Sequence, residues 1–379
     1  MTNTRQSINK LKIGLVLDDS LDRNDGVQQY VRALGGWLTK QGHTVHYLAG
    51  QSKPNHEAVY SLSRNVNIRF NGNRLTVPLP ANSSDIKVLL ANEKYDVLHV
   101  QMPYSPMMAG KVIKSAAPET AVVGTFHILP FGRLQKYGSR ALGLVQKRQL
   151  KRLDAICSVS PAAQQFAKSH FGLVSSVIPN MIDTAAWQTN IQPVPGRIVF
   201  LGRLVPRKGC KQLLKALASL PEPLGNTIEV LIAGDGPERQ KLQEFANSHN
   251  LTQVKFMGYV DEHAKADLLA SAVVAVFPSL GGESFGIVLI EAMAAGAGVV
   301  LGGDNPGYKS VLGEDSGALI QPTHTGSFAQ KLELFLTDNL LNEKIHNQQK
   351  QLVQQYDIDT VGPQILNMYQ TAKPQINTN

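Results

Sequence analysis

The densest concentration of chemically useful residues is Gly281-Gly282-Glu283-Ser284-Phe285-Gly286-Ile287, followed by an apolar helical run that carries Glu291 and ends at Gly296. The β-branched run Val273–Phe277 precedes it, so the glycines fall in a strand-to-helix turn where the backbone can approach a ligand closely. The N–H groups of Phe285, Gly286 and Ile287 at the start of such a helix point outward with the positive end of the helix dipole, which suits an anion. Glu283 sits in the turn and Glu291 two turns along the helix, so both carboxylates can serve one cleft in different roles. Acids favour helix starts in any case, so spacing alone leaves a tight turn plus a surface acid equally open.

Two further places carry candidate chemistry. His127 closes the apolar run Ala121–Phe126, at the strand end where α/β folds put ligands, although a lone histidine is more often a structural residue. The basic loop Gly202-Arg203-Leu204-Val205-Pro206-Arg207-Lys208-Gly209 follows the run Arg197–Leu201. The one Asp-x-Asp, Asp357-Ile358-Asp359, lies far along the chain and reads as surface.

Positioning these residues requires alternating strands and helices. Strands are expected at Lys12–Leu17, Thr44–Leu48, Val97–Gln101, Ala121–Phe126, Ala155–Val159 and Ser176–Ile178, then at Arg197–Leu201, Thr227–Ala233, Val254–Met257, Val273–Phe277 and Gly298–Leu301. Helices are expected at Val27–Gln41, Ser105–Ala117, Arg133–Leu153, Pro161–His170, Lys211–Ser219, Pro237–Ser248, Glu262–Ala270 and Phe285–Ala295. The polar stretch Gln188–Gly196, with Pro193 and Pro195, reads as a linker. The expected fold class is therefore α/β, with two Rossmann-like doubly wound domains at 1–190 and 196–356, a tail of about 357–379 returning to the first, and a ligand crevice at the strand ends between them.

Composition narrows the partners. The 379 residues are 43% hydrophobic and 17% charged, an ordinary globular balance. No run is long and apolar enough to span a bilayer, and the start is too polar for a signal peptide, so a cytoplasmic location is expected. Cys157 and Cys210 cannot build a disulfide framework and read as buried apolar residues. The net charge of +8 is unevenly spread: residues 1–193 hold 22 Lys and Arg against 11 Asp and Glu, whereas 194–379 hold 15 against 18. A basic half meets nucleic acid, anionic lipid or acidic substrate, and no readable nucleic-acid module is present.

The glutamate pair with seven residues between, Glu283 to Glu291, resembles the signature of glycosyltransferase family 4, retaining enzymes of the GT-B fold. The likeness continues through Gly26-Val27-Gln28, Tyr95-Asp96-Val97-Leu98-His99, Gly124-Thr125-Phe126-His127, Ile178-Pro179-Asn180 and Phe200-Leu201-Gly202-Arg203. Leu280–Gly296 is particularly similar to the bacterial phosphatidylinositol mannosyltransferases. The resemblance implies that Arg203 and Lys208 hold the donor's diphosphate, where cations stabilise the developing charge without a metal. It implies that His127 contacts the donor sugar and that the Gly26 backbone approaches a phosphate. Glu283, Ser284, Phe285, Gly286, Ile287 and Glu291 then complete the donor site. In Gly258-Tyr259-Val260-Asp261-Glu262-His263-Ala264-Lys265, it places backbone contacts at Val260 and a carboxylate and ammonium at Glu262 and Lys265, which suit the N1–H, amino group and O6 of guanine.

The implied reaction is retaining, metal-independent transfer of mannose from GDP-mannose to a membrane lipid such as phosphatidylinositol, with no other cofactor. Alternatives are UDP-glucose or another donor with a diacylglycerol, polyprenyl or soluble glycan acceptor, a nucleotide-sugar epimerase on the same fold, or a non-catalytic binder of nucleotide sugars. The chain departs from the family at the acceptor side: Asp25 replaces a glycine, Asp19 a tyrosine and Gly132 a lysine. The helix the mannosyltransferases use for docking corresponds to Ser83–Ala91, which holds only Lys87. A second basic stretch, Arg133, Lys136, Arg140, Lys147, Arg148, Lys151 and Arg152 interleaved with apolar residues, reads as an amphipathic helix that docks peripherally on an anionic leaflet.

Overall fold

The computed structural model describes residues 10–22, 25–52, 58–70, 73–127 and 145–372. In the first half, β1 (Lys12–Leu17), β2 (Thr44–Gly50), β3 (Val59–Ser63), β6 (Val97–Gln101), β7 (Ala121–Phe126), β8 (Ala155–Ser158) and β9 (Ser176–Val177) form one parallel sheet in the order β3-β2-β1-β6-β7-β8-β9. An antiparallel hairpin of β4 (Asn65–Phe70) and β5 (Asn73–Pro78) stands beside it. In the second half, β10 (Val194–Leu201), β11 (Glu229–Ala233), β12 (Val254–Gly258), β13 (Ala272–Phe277), β14 (Val299–Gly303) and β15 (Leu319–Ile320) form a parallel sheet in the order β12-β11-β10-β13-β14-β15.

The strands are apolar on both faces because helices cover both faces; every residue of Ala121–Phe126 is buried. On one face Ile13, Leu15 and Val123 pack with Tyr30, Leu34 and Leu38 of the helix Gly26–Lys40. On the other, Val16, Leu98 and Val122 pack with Ile86 of Ser83–Glu93 and Val112 and Ile113 of Met108–Ser115. A third cluster fills the second domain around Ile198, Val274 and Leu289. The sheets reverse order where β1 lies between β2 and β6, and where β10 lies between β11 and β13. Such switch points open a crevice at the carboxyl ends of the strands, and both carry candidate site residues.

The chain crosses between sheets twice, and the crossings are tied together. Ile358 N–H donates to the Ile182 carbonyl at 2.8 Å and Ile182 N–H to the Tyr356 carbonyl at 3.1 Å. The helix Ile358–Thr371 then lies on the first sheet's helix, with Trp37 Nε1 donating to Asp359 at 2.7 Å and the Tyr369 hydroxyl 2.7 Å from His99 Nδ1. Asp357 caps that helix and accepts from the Thr184 amide at 3.2 Å. The Asp-x-Asp expected to be plain surface thus anchors the returning helix.

Of the expected amphipathic helix Arg133–Leu153, Arg133, Lys136 and Arg140 lie outside the described residues, as does Gly132. The described portion is helical over 145–150, with Lys147, Arg148 and Lys151 exposed and Leu150 buried. Arg152 departs from the expectation. It faces inward, its guanidinium 2.7 Å from the Asp154 carboxylate and donating to the carbonyls of Ala117 and Thr120, and a fork so engaged is taken away from a lipid surface.

Candidate active site

The turn before the helix Ile287–Ala295 presents Glu283 to a cage of donors. Its carboxylate accepts from Arg207 Nη1 at 2.7 Å, Lys208 Nζ at 2.9 Å and Ser279 Oγ at 2.7 Å. Burial works to raise the Glu283 pKa, but the charges of Lys208 and Arg207 outweigh it and hold the group below the usual carboxylate range. Glu283 is therefore ionised at neutral pH. The loop Pro206–Lys208 reaches it as a 3-10 turn closed by Gly209. The helix itself begins on Gly286, at φ +125°, with no side chain capping it, so its first N–H groups face the cleft uncapped. Tyr308 lies against Gly286, 2.6 Å from where a Cβ would stand; here the backbone itself calls for glycine.

His127 closes β7 opposite this turn. It is 4% exposed, its Nε2 lies 2.7 Å from Gln101 Oε1, and Tyr30 packs edge-on against its ring at 4.8 Å. Burial drives its pKa down to about 3 against a smaller upward pull from Asn180, so the imidazole is neutral. The Ser284 hydroxyl donates to the His127 carbonyl, and the Ser160 hydroxyl to the Ser284 carbonyl. These bonds join the donor turn of the second sheet to the strand ends of the first. Gly26 opens the helix Gly26–Lys40, and a Cβ there would lie 2.9 Å from Ile287 Cδ1, so two helix N-termini meet across the cleft.

Further along, Lys265 Nζ pairs with Glu262 Oε2 at 2.7 Å, and Gln29 Nε2 donates across the cleft to Glu262 Oε1 at 3.2 Å. Val260 is half-buried on the loop that follows β12. Glu291 is 4% exposed, and burial raises its pKa to about 7 despite the nearby Lys265. A carboxyl raised in this way favours folding while protonated; that contribution is full below about pH 4.5 and lost once pH has passed about 7. Glu291→Gln, which never ionises, is expected to gain stability on the wild type between pH 5 and pH 8 by on the order of 2–3 kcal/mol. Thermal melts at the two values check this; an equal difference in Tm at both would mean the carboxyl titrates normally.

The structure thus brings Glu283, Lys208, Ser284, Gly286 and His127 together, and gathers Glu262, Lys265 and Glu291 nearby. Phe285 is buried, edge-on to Tyr356 at 5.4 Å. Arg203 is exposed and stands outside the Glu283 cage. Arg207, to which the sequence assigns no role beside Arg203 and Lys208, takes a place in that cage instead. Ser279, Gln101 and Gln29 carry no sequence signal as site residues; the partners of Gln101 and Gln29 lie on a neighbouring strand and across the cleft, while Ser279 meets Glu283 four residues along the same turn. Among the described residues no group of three or more His, Cys, Asp or Glu is placed to hold a metal.

Two parallel α/β sheets meeting across such a cleft define the GT-B fold. Residues 24–186 match Glycosyltransferase Family 4 and residues 181–352 match Glycosyl transferases group 1. The chain is 33% identical to the phosphatidyl-myo-inositol mannosyltransferase of Mycolicibacterium smegmatis, covering 96% of this chain and 94% of that one, and 32% identical to that of Mycobacterium leprae, covering 96% and 97%. Among solved structures, sucrose-phosphate synthase from Thermosynechococcus elongatus superposes with a TM-score of 0.76 at 21% identity, over 95% of this chain and 98% of that one. Anabaena HepE in complex with UDP-glucose superposes at 0.73 and 18%, over 95% and 99%. The chain belongs to glycosyltransferase family 4.

Proposed function

We propose that this glycosyltransferase moves mannose from GDP-mannose to a hydroxyl of a membrane lipid, phosphatidylinositol or a related glycolipid precursor, with retention at the sugar and without a metal. The observation that carries the donor assignment is the Glu262–Lys265 pair beside buried Glu291. Glu262 offers acceptors for the guanine N1–H and amino group, Lys265 a donor for O6, and Glu291 an acceptor for ribose hydroxyls. Lys208 and Arg203 meet the diphosphate, with the uncapped start of the helix Ile287–Ala295 behind them. His127 and Glu283 orient the sugar so that acceptor and leaving group share one face.

The acceptor assignment draws support from the relatives' names and from the basic first half. Lys147, Arg148 and Lys151 are exposed beside Val145, which is 77% exposed. No helix among the described residues is long and apolar enough to cross a membrane, so a lipid acceptor is met by docking on the surface. The test is transfer of labelled sugar from GDP-mannose or UDP-glucose to vesicles containing phosphatidylinositol or to a soluble mannan oligosaccharide, at low and high salt. Transfer from GDP-mannose is expected, weakening as salt shrinks the Debye length from about 10 Å at 0.1 M to 3 Å at 1 M. Transfer from UDP-glucose alone overturns the donor assignment, and salt-insensitive transfer to a soluble glycan overturns the acceptor.

A further inference from the structure

We infer that Gln101 is a positioning residue: it fixes the tautomer of His127, so that the imidazole meets the donor sugar as a hydrogen-bond acceptor through Nδ1. The inference rests on the reading that His127 faces the sugar. Gln101 ends β6, is 0% exposed, and places Oε1 2.7 Å from His127 Nε2. The orientation of its amide is set by its other end, where Nε2 donates to the His99 carbonyl at 3.4 Å. Turning the amide over would set two carbonyl oxygens against each other, so the oxygen faces His127 and the hydrogen of the neutral ring sits on its Nε2. The lone pair is then on Nδ1.

The aromatic neighbours of the ring carry no charge that would disturb that state. Tyr30, from the helix Gly26–Lys40, walls it edge-on, and His99 stands two residues back along β6. Both are neutral, since burial raises the Tyr30 pKa well above its ordinary value and drives that of His99 down to about 3. His99 is itself held at both nitrogens, by the Tyr369 hydroxyl at 2.7 Å and Thr125 Oγ1 at 2.5 Å, so the carbonyl that orients Gln101 belongs to an immobilised residue. The Asn180 carboxamide adjoins His127, and its Oδ1 is buried without a hydrogen-bond partner. With hydrogen on Nε2 that oxygen is left for a donor from outside the ring, such as a hexose O–H, whereas hydrogen on Nδ1 would let the ring fill it, and the tautomer measurement separates the two.

The test uses the enzyme labelled with 15N-histidine, the His127 signals being assigned by comparison with His127→Gln. The wild type is expected to show one tautomer, hydrogen on Nε2, with no protonation down to about pH 5. Gln101→Leu should lose the single tautomer and about tenfold in kcat, in the direction seen where a buried partner sets a catalytic histidine's tautomer, with GDP affinity unchanged because GDP lacks the sugar. Gln101→Glu should favour the imidazolium and bring His127 titration into the measured range. Hydrogen on Nδ1 in the wild type, or a Leu variant that keeps both tautomer and kcat, overturns the inference. These spectra are read without substrate, so they stand if the donor proves to be another sugar nucleotide. Should Gln101→Leu not fold, the wild-type spectrum and the near-isosteric Glu variant decide.

Discussion

Replacing Glu283 by glutamine is expected to slow sugar transfer by about 10²–10³-fold without weakening GDP binding. Glutamine keeps the volume and the bond from Ser279 but removes the charge that Arg207 and Lys208 converge on. Two consequences have opposite sign. The reacting sugar, which gains positive character as its bond to the diphosphate stretches, loses a fixed carboxylate close by. Lys208 loses its anion and is left for the diphosphate, so GDP should bind as tightly as before or more so. A fall in kcat with an unchanged or lower Kd for GDP is therefore the expected pattern, since only interactions stronger in the transition state contribute to rate. Because the carboxyl is held below its ordinary pKa, no loss of rate from its protonation is expected until pH falls below about 4.5. Single-turnover kinetics and calorimetry on the purified variant check both halves. Equal losses in kcat and GDP affinity would make Glu283 a strut for the turn, and a kcat within about threefold of the wild type would remove it from the chemistry.

The core was legible where burial on both faces left an unbroken apolar run. Lys12–Leu17, Val97–Gln101 and Ala121–Phe126 form strands over the spans read from sequence. The hairpin β4–β5 was not read, although Asn65–Phe70 and Asn73–Pro78 alternate polar and apolar residues around Asn71-Gly72, a dipeptide that favours a tight turn. Neither was the helix Pro306–Leu312 read, although Asn305-Pro306 supplies an N-cap and a proline at its first position. Both signals were present and local. What sequence does not carry is partner choice at long separation: Gln29 meets Glu262, 233 residues away, and Arg207 meets Glu283, 76 away. Adjacent cations Arg207 and Lys208 look alike in a basic loop, and only the return of the turn after β13 makes both of them partners of one carboxylate. The inward turn of Arg152 has the same origin, since the carbonyls of Ala117 and Thr120 that take its guanidinium lie 35 and 32 residues away.

Among the three cations near the donor turn, Lys208→Ala is expected to cost most, about 10²–10³-fold in kcat/KM. Lys208 is mostly buried, 20% exposed in its side chain, and sits 2.9 Å from the Glu283 carboxylate, so in the proposed donor complex it stands where the leaving diphosphate meets the sugar. A charge held there in a water-poor site needs no reorganisation as the bond breaks, which is why its loss falls on the rate. Arg203 is exposed and can swing onto the diphosphate only once a donor is present. Arg203→Ala should cost about 1.5–3 kcal/mol of GDP affinity, the worth of a hydrogen bond to a charged group, with no change in melting temperature. Arg207→Ala removes a second cation from Glu283 rather than a ligand contact, so its main effect should be to loosen the turn and bring the Glu283 pKa closer to its ordinary value. Calorimetry with GDP and single-turnover transfer for the three variants separate these roles. If a divalent metal neutralised the diphosphate instead, the ranking would flatten, and wild-type activity would vanish in EDTA and return with magnesium. Activity that survives chelation, together with the steep loss at Lys208, is the outcome expected when the protein supplies that charge itself.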